Sequence, residues 1–324
     1  MIKAARFLVV GRAGMDLYAD PPGVEIEAAG RFVAALGGSA ANIAVALVRQ
    51  GCEAALVSAV SVDAVGGFVR RELARYGVSD RFVTEVAGEW RTSLAVVETR
   101  AAARAVIYRN LAADFQIGLP EFGADFGAEF GAVVLTGTAL ALEPSRRVAF
   151  GVVARAKALG MPVVLDVDYR RYSWASEAEA AEVCGRAGAL ADIVVGNDEE
   201  FGMLAGGHAA GLALARAMGK RAVVVYKMGA AGSVTISPAG AFVNGIYPVA
   251  ALKPTGAGDG FMGGFLAGLA AGDGLEQAVA RGAATAALVV TQVGCAPAMP
   301  DAAAVGGFMA THAMTGGPDA HSAV

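Results

Sequence analysis

Short apolar runs rich in Val, Ile and Leu recur along the chain, and most are followed by a longer stretch with helical spacing of apolar positions. The runs at 7–10, 55–60, 133–136, 163–167, 193–195, 222–226 and 234–237 are expected to be strands. The stretches 41–50, 65–76, 145–159, 177–190, 211–218, 259–271 and 275–291 are expected to be helices. Runs such as VVLDV and AVVVY do not alternate with polar residues, which fits strands covered on both faces. Strand, helix and strand in succession point to right-handed βαβ crossovers on a mostly parallel central sheet, so the predicted fold class is α/β. Two segments break the pattern. Residues 16–36 and 90–111 carry alternating, partly charged sequence (RTSLAVVE, RAVIYRN), and are expected to pair in a small sheet outside the main one.

Composition narrows the class. Hydrophobic residues make up 56% of the 324 residues, enough for a sizeable core in one large domain. Mean hydropathy is +0.52, but charge, Gly or Pro interrupts every apolar run before it reaches membrane-spanning length, so no membrane partner is expected. The amino-terminal stretch MIKAARFLVV has too short an apolar run for a signal peptide and is expected to be the first strand. Net charge is −4 and basic runs do not exceed two residues, which argues against nucleic acid. The three cysteines, Cys52, Cys184 and Cys295, are widely spaced, as in a reduced, cytoplasmic protein. The domain is expected to cover 1–312, and the Gly/Pro/Ser-bearing segment 313–324 to be a disordered tail.

Open parallel sheets bind ligands beyond the carboxyl ends of their strands. Here those ends read GRAGMD (11–16), GTALALE (137–143), DVDYRR (166–171), GNDEE (196–200) and KMGAAG (227–232), a polar rim on an apolar body. Downstream, TGAGD (255–259) opens the expected helix at 259. An isolated Asp there is ordinarily a helix cap. Gly256-Ala257-Gly258 adds backbone amides that a ligand can approach closely, at the positive end of a helix dipole. A carboxylate beside such an anion site suits phosphoryl transfer, with Asp259 as base and the 256–258 amides holding charge. A dinucleotide fingerprint would need glycine at 261, where Phe261 stands, and Gly219-Lys220-Arg221 is no Walker A motif. Gly263, Gly264 and Gly268 within the helix imply close approach of another backbone or of a nucleotide. In GGSAAN (37–42), Ser39 can cap the next helix, and Asn42 is either a polar helix residue or a partner for sugar hydroxyls. His208, His312 and His321 are in or near loops and the tail, so the proton work falls to a carboxylate.

GGSAAN before a helix, with GAGD far downstream, resembles the two signatures of the PfkB/ribokinase family of carbohydrate kinases, over roughly 6–312. The resemblance implies a three-layer α/β/α Rossmann-like domain with a small β-sheet lid that often serves as a dimer contact. It further implies ATP as co-substrate, Asp259 as catalytic base with the amides of Gly256, Ala257 and Gly258 as anion hole, and sugar contacts from Asp16, Gly38 and Asn42. Asn197 and Glu200 match the family's NxxE element, associated with phosphate and Mg2+, the ion being reached through water. Lys227, Gly229 and Gly232 match its nucleotide-phosphate turn, and with Asn197 and Gly258 they make up the implied ATP-binding set. The loops around Gly294-Cys295 resemble the region that holds a monovalent cation in some relatives, which admits K+ as a further cofactor. GRAGMDLY, YRNLAAD, DVDYRRYSW, KPTGAGD and GCAPAMP resemble the inositol-catabolism branch, in which Lys253-Pro254 stands where many members have Asp-Thr. That branch implies phosphorylation of the 6-hydroxyl of 5-dehydro-2-deoxy-D-gluconate. Asp166-Val167-Asp168-Tyr169-Arg170 resembles the DxNxR element of 2-dehydro-3-deoxygluconate kinases, with Asp for Asn. An acid sugar calls for arginine, and Arg109 and Arg170 lie in candidate loops. Rival readings are a 2-dehydro-3-deoxygluconate kinase, a fructokinase or another sugar kinase of the family. More remote is a non-catalytic sugar-binding regulator, which the intact Asp259, Gly256, Gly258 and Glu200 disfavour.

Overall fold

The computed structural model describes Ile2 and residues 4–317. The apolar runs form most of a nine-stranded sheet. In chain order the strands of the protein are β1 (Arg6–Val10), β2 (Gly14–Asp20), β3 (Arg31–Gly37), β4 (Glu53–Ser61), β5 (Ser79–Val86), β6 (Ser93–Val97), β7 (Ala105–Tyr108), β8 (Ala132–Thr136), β9 (Val163–Asp166), β10 (Ile193–Asn197), β11 (Val223–Lys227), β12 (Ser233–Ser237) and β13 (Gly240–Asn244). The large sheet runs β13-β12-β11-β10-β9-β8-β1-β4-β5. It is parallel from β5 to β11, and β12 and β13 return antiparallel as a hairpin edge. The second sheet, β3-β2-β6-β7, comes from the two segments expected to stand apart.

The helices are α1 (Ser39–Arg49), α2 (Ala64–Tyr76), α3 (Phe126–Glu129), α4 (Ser145–Ala158), α5 (Glu177–Leu190), α6 (Asp198–Ala205), α7 (Gly211–Gly219), α8 (Ala257–Ala271), α9 (Leu275–Val290) and α10 (Ala302–Thr311). Alternate residues of β1 enter opposite cores: Phe7 and Val9 pack with α1, α2, α8 and α9, while Leu8 and Val10 pack with α3 to α7. Both faces of the sheet are therefore covered, which is why its strands carry apolar residues without alternation. Among the described residues no helix is long and apolar enough to cross a membrane.

Several boundaries differ from expectation for local reasons. Gly38, with φ 95°, is the N-cap of α1, and Ser39 is already helical, its Oγ lying 3.2 Å from Thr138 Oγ1. Strands β5 and β13 and helices α6 and α10 were not evident from periodicity, because each is short or exposes much of one face. The segment expected to be a tail is tied down at Thr315, which exchanges backbone bonds of 3.0 and 2.8 Å with Ile246. The remainder of that expectation, 318–324, lies outside the described residues.

The glycines of α8 have a packing origin. A Cβ on Gly263 would overlap the Cβ of Ala46 in α1, and one on Gly264 would overlap Thr285 Oγ1 in α9. The neighbour that approaches so closely is another helix on each side. Gly263→Ala is expected to cost about 1–3 kcal/mol through overpacking, read as a lower urea midpoint at unchanged m-value. An unchanged midpoint would mean that α1 can step aside.

Candidate active site

Strand order makes β1 the turning point of the sheet, with β4 on one side and β8 on the other. Crevices at such points are where open α/β sheets bind ligands. A cavity of about 320 Å³ opens there. Arg12, Thr138, Asp168 and Arg170, just beyond β1, β8 and β9, form its walls. The small sheet roofs it through Asp16 and Tyr18 of β2, Ala95 and Val97 of β6, and Ala105 and Ile107 of β7. Two helix starts supply the floor: Gly38, Ser39 and Asn42 at α1, and Thr255, Gly256 and Asp259 at α8.

Gly256 is the N-cap of α8 and is left-handed, with φ 85°. A Cβ there would also lie only 3.0 Å from Cys295 Sγ and 3.2 Å from Val289 Cγ1. No side chain caps this helix, and its first internal bond runs from Gly260 N–H to Gly256 O at 2.9 Å. The amides ahead of that bond have no helical partner, and the helix dipole places partial positive charge on them.

Asp259 is the third residue of this helix and does not cap it. Its Oδ2 accepts a 2.8 Å hydrogen bond from Asn42 Nδ2 of α1. Burial, seconded by the Asp168 carboxylate, pushes the Asp259 carboxyl up to about 7, against the pull of Asn42, Arg170 and Lys227. Asp16 is also raised by burial. Tyr18 donates to Asp16 Oδ2 at 2.9 Å and accepts from Cys295 N–H at 3.0 Å, tying the roof to the loop behind Gly256.

Asp16 Oδ1, Asn42 Oδ1, Asp168 Oδ2 and Thr255 Oγ1 are buried, lack hydrogen-bond partners, and belong to residues that line the cavity. Two guanidinium groups share the site. Arg12 donates from Nη1 to Ser93 Oγ at 3.1 Å, and Arg170 holds Asp168 Oδ1 at 2.8 Å. Unpaired acceptors beside arginines suit a ligand that carries both hydroxyls and an anionic group.

Behind the turn, Lys227 ends β11 with its Nζ 5.5 Å from the centre of the Phe261 ring and 3.6 Å from where a Cβ on Gly258 would lie. Asn197 and Glu200 form a reciprocal cap on α6. Glu200 N–H donates to Asn197 Oδ1 at 2.8 Å, while Glu200 Oε2 accepts from Asn197 N–H at 2.8 Å and Oε1 accepts from Tyr169 N–H at 3.2 Å. Burial raises the carboxyls of Glu200 and Asp166, neighbouring carboxylates add to it, and Lys227 opposes it. Among the described residues no three acidic, His or Cys side chains converge tightly enough to cage a metal. Such an acid-lined surface fits Mg2+ held mainly by phosphate and water, with few protein ligands.

The model of the pfkB family carbohydrate kinases matches residues 4–302. The chain belongs to this family. A 5-dehydro-2-deoxygluconokinase of Photobacterium profundum is 38% identical over 302 residues, covering 90% of this chain and 91% of that one. One of Geobacillus kaustophilus is 32% identical over 329 residues, covering 96% and 95%. Among solved structures, a double mutant of Vibrio cholerae fructokinase with fructose, ADP and potassium ion bound is 27% identical, with a TM-score of 0.82 over 95% of this chain and 99% of that one. Xylella fastidiosa fructokinase with bound ATP, 24% identical, shares the fold at a TM-score of 0.83 over 94% and 98%.

In this kinase the fold brings Asp16, Gly38, Asn42, Arg170, Gly256 and Asp259 to one cavity, with Ala257 and Gly258 in the same turn. Asn197, Glu200, Lys227, Gly229 and Gly232 lie one or two strands further along the rim, outside that cavity. Arg109 departs from expectation. It is 7% exposed and is not among the cavity-lining residues, because its guanidinium is taken by Asp114, Thr138 O and Ser173 Oγ. Arg12 was not singled out from the sequence, and Asp168 was noted only as the residue that replaces Asn in the DxNxR-like element. Both stand in strand-end motifs (GRAGMD and DVDYRR), and a rule that every charged residue there is a candidate would have found them.

Proposed function

We propose that this kinase uses ATP and Mg2+ to phosphorylate the 6-hydroxyl of 5-dehydro-2-deoxy-D-gluconate. The observation that carries the reading is the Asp259 carboxylate, anchored by Asn42 in the uncapped first turn of α8, in a cavity that also holds two guanidinium groups. Curated relatives at 38% and 32% identity bearing the name 5-dehydro-2-deoxygluconokinase support the choice of acid sugar.

On this reading Asp259 accepts the hydroxyl proton as that oxygen bonds to the γ-phosphorus. The transition state is loose, so the proton moves late and a positioned carboxylate suffices. The amides of 256–258 face the charge on the transferring phosphoryl group. Asn42 fixes the base through Nδ2 and leaves Oδ1 for a substrate hydroxyl, beside Asp16 and Asp168. Gly38 lets the chain pass close to Arg12 and so shapes the floor. Arg12 and Arg170 take the sugar carboxylate. Lys227, Asn197, Gly229 and Gly232 serve the nucleotide on the other side of the turn. Mg2+ supplies charge neutralisation of the phosphates when bound, and Glu200, both of whose oxygens already accept backbone N–H groups, would reach it through water. Closure of the small sheet excludes water and suppresses ATP hydrolysis.

An ADP-coupled assay across acid sugars, fructose and ribose tests the substrate. Turnover of fructose or ribose with none of any acid sugar would remove it. Turnover of 2-dehydro-3-deoxygluconate alone would favour that kinase activity, which the same guanidinium groups could serve. Because the base works deprotonated and its carboxyl sits at about 7, kcat/KM should climb as pH rises through neutrality and then level. A profile flat through neutrality would contradict the assignment.

Two coarser readings belong with this one. Three free buried cysteines fit a reducing cytoplasm. The small sheet exposes Phe32, Val33, Val106 and Tyr108, which supports a homodimer through that sheet. A monomeric mass by light scattering would remove the dimer.

A further inference from the structure

Lys253 is fully buried, with no exposed surface. Its ammonium donates to Thr255 O at 2.6 Å and to Val289 O at 3.2 Å. Its own N–H and that of Leu252 both donate to Val290 O, at 3.2 and 2.8 Å. The side chain therefore bridges the last turn of α9 and the turn that opens α8. Burial pulls its pKa down, while Cys295 and Asp259 nearby pull it up.

Burying an ammonium on neutral carbonyls is costly, and a Met of similar length would fill the same space without that cost. The charge has two uses at this place. Val289 O lies at the negative end of the α9 dipole, where a cation is favoured. Thr255 O belongs to the same planar trans peptide as Gly256 N–H, so the two point in opposite directions. A cation that holds the oxygen on one side aims the Gly256 amide to the other, and Gly256 faces the cavity. Ammonium and potassium ions are close in size, and both are held by rings of carbonyl oxygens.

We infer that the Lys253 ammonium is a tethered monovalent cation beneath the phosphoryl-binding turn, so that this kinase works without added potassium. The room for K+ that the family resemblance left near Gly294-Cys295 is then filled by a side chain. Lys253 is a positioning residue: it touches no substrate and acts through the Thr255–Gly256 peptide. The inference rests on the proposed role of that turn, and its test includes one measurement that does not.

Wild-type kinase and Lys253→Ala, which empties the ammonium's place, are compared in choline, sodium, potassium, ammonium and methylammonium chloride. Wild-type turnover and melting temperature should be the same in choline as in potassium. In choline, Lys253→Ala should lose about a hundredfold in kcat, as for loss of one anion-hole donor, with sugar KM little changed. Potassium, ammonium or methylammonium should restore part of that kcat and raise the variant's melting temperature, with no effect on wild type. If Lys253→Ala fails to fold in choline, it should fold when prepared in ammonium, and failure in both buffers overturns the inference. So do a potassium requirement in wild type, a fully active variant in choline, or a folded, inactive variant that no cation improves. The melting measurements need no substrate, so they read the cation site even if the proposed substrate is wrong.

Discussion

Asp259→Asn is expected to lower kcat by about 10³–10⁴-fold while making the folded protein more stable above pH 7. The activity loss follows from geometry. Asn keeps the shape and can still accept from Asn42 Nδ2, but it cannot accept the hydroxyl proton. ATP binding, measured by calorimetry, should persist, because the residues proposed to serve the nucleotide, Asn197, Lys227, Gly229 and Gly232, lie at and beyond the ends of β10 and β11, and the substitution leaves the Gly258 amide in place. The stability gain follows from the raised carboxyl. In the fold Asp259 keeps its proton to about pH 7, against an ordinary value of 3.8 in the unfolded chain. Between those values the folded state binds the extra proton, so each rise in pH costs stability until the group is ionised in both states. Asn carries no such cost. Its advantage should be absent at strongly acid pH, grow through the acid range, and reach on the order of 4 kcal/mol above pH 7. Calorimetric melts of both proteins at acid and alkaline pH measure it. Near-normal turnover would defeat the assignment of the base, and equal stability at alkaline pH would mean that the carboxyl is not raised.

Arg109→Met is expected to destabilise the protein by about 3–5 kcal/mol, the cost of leaving a buried charge unpaired. Arg109 Nε and Nη2 hold Asp114 Oδ2 at 2.9 and 2.5 Å, and Asp114 is 1% exposed. The guanidinium also packs 4.1 Å from the centre of the Phe115 ring and satisfies Thr138 O at 2.8 Å. At roughly 2–4 °C per kcal/mol for chains of this size, the melting temperature should fall by about 10 °C. The alternative role gives the opposite signature. If Arg109 held the sugar carboxylate, Met would raise the sugar KM steeply and leave the melting temperature nearly unchanged. Measuring both on one variant separates the two.

These cases mark what could be read in advance. Glycine and aspartate at 256–259 are visible as a motif because their chemistry is local: an amide turn needs glycine, and a base needs a carboxylate. The roof segments were also visible, since their period-two alternation contrasts with the unbroken strands around them. Arg109 was read as a candidate sugar contact because sequence shows a charge in a loop and not its partner. Asp114 lies five residues away, and only the fold puts the pair behind the cavity, against Thr138. Asn42 is similar. Its carboxamide was legible as a polar group early in a helix, whereas its bond to Asp259, 217 residues on, exists only because α1 and α8 pack side by side.

The chain alone determined the layered α/β class, the polar rim at the strand ends and the residue types for phosphoryl transfer, because periodicity and turn chemistry act over a few residues. Tertiary structure decided which of those charges meet: Asn42 with Asp259, Arg109 with Asp114, and Lys253 with the carbonyls beneath the turn. Pairing across the sheet depends on which elements lie next to one another, and the balance between burial and partner sets each group's charge and use.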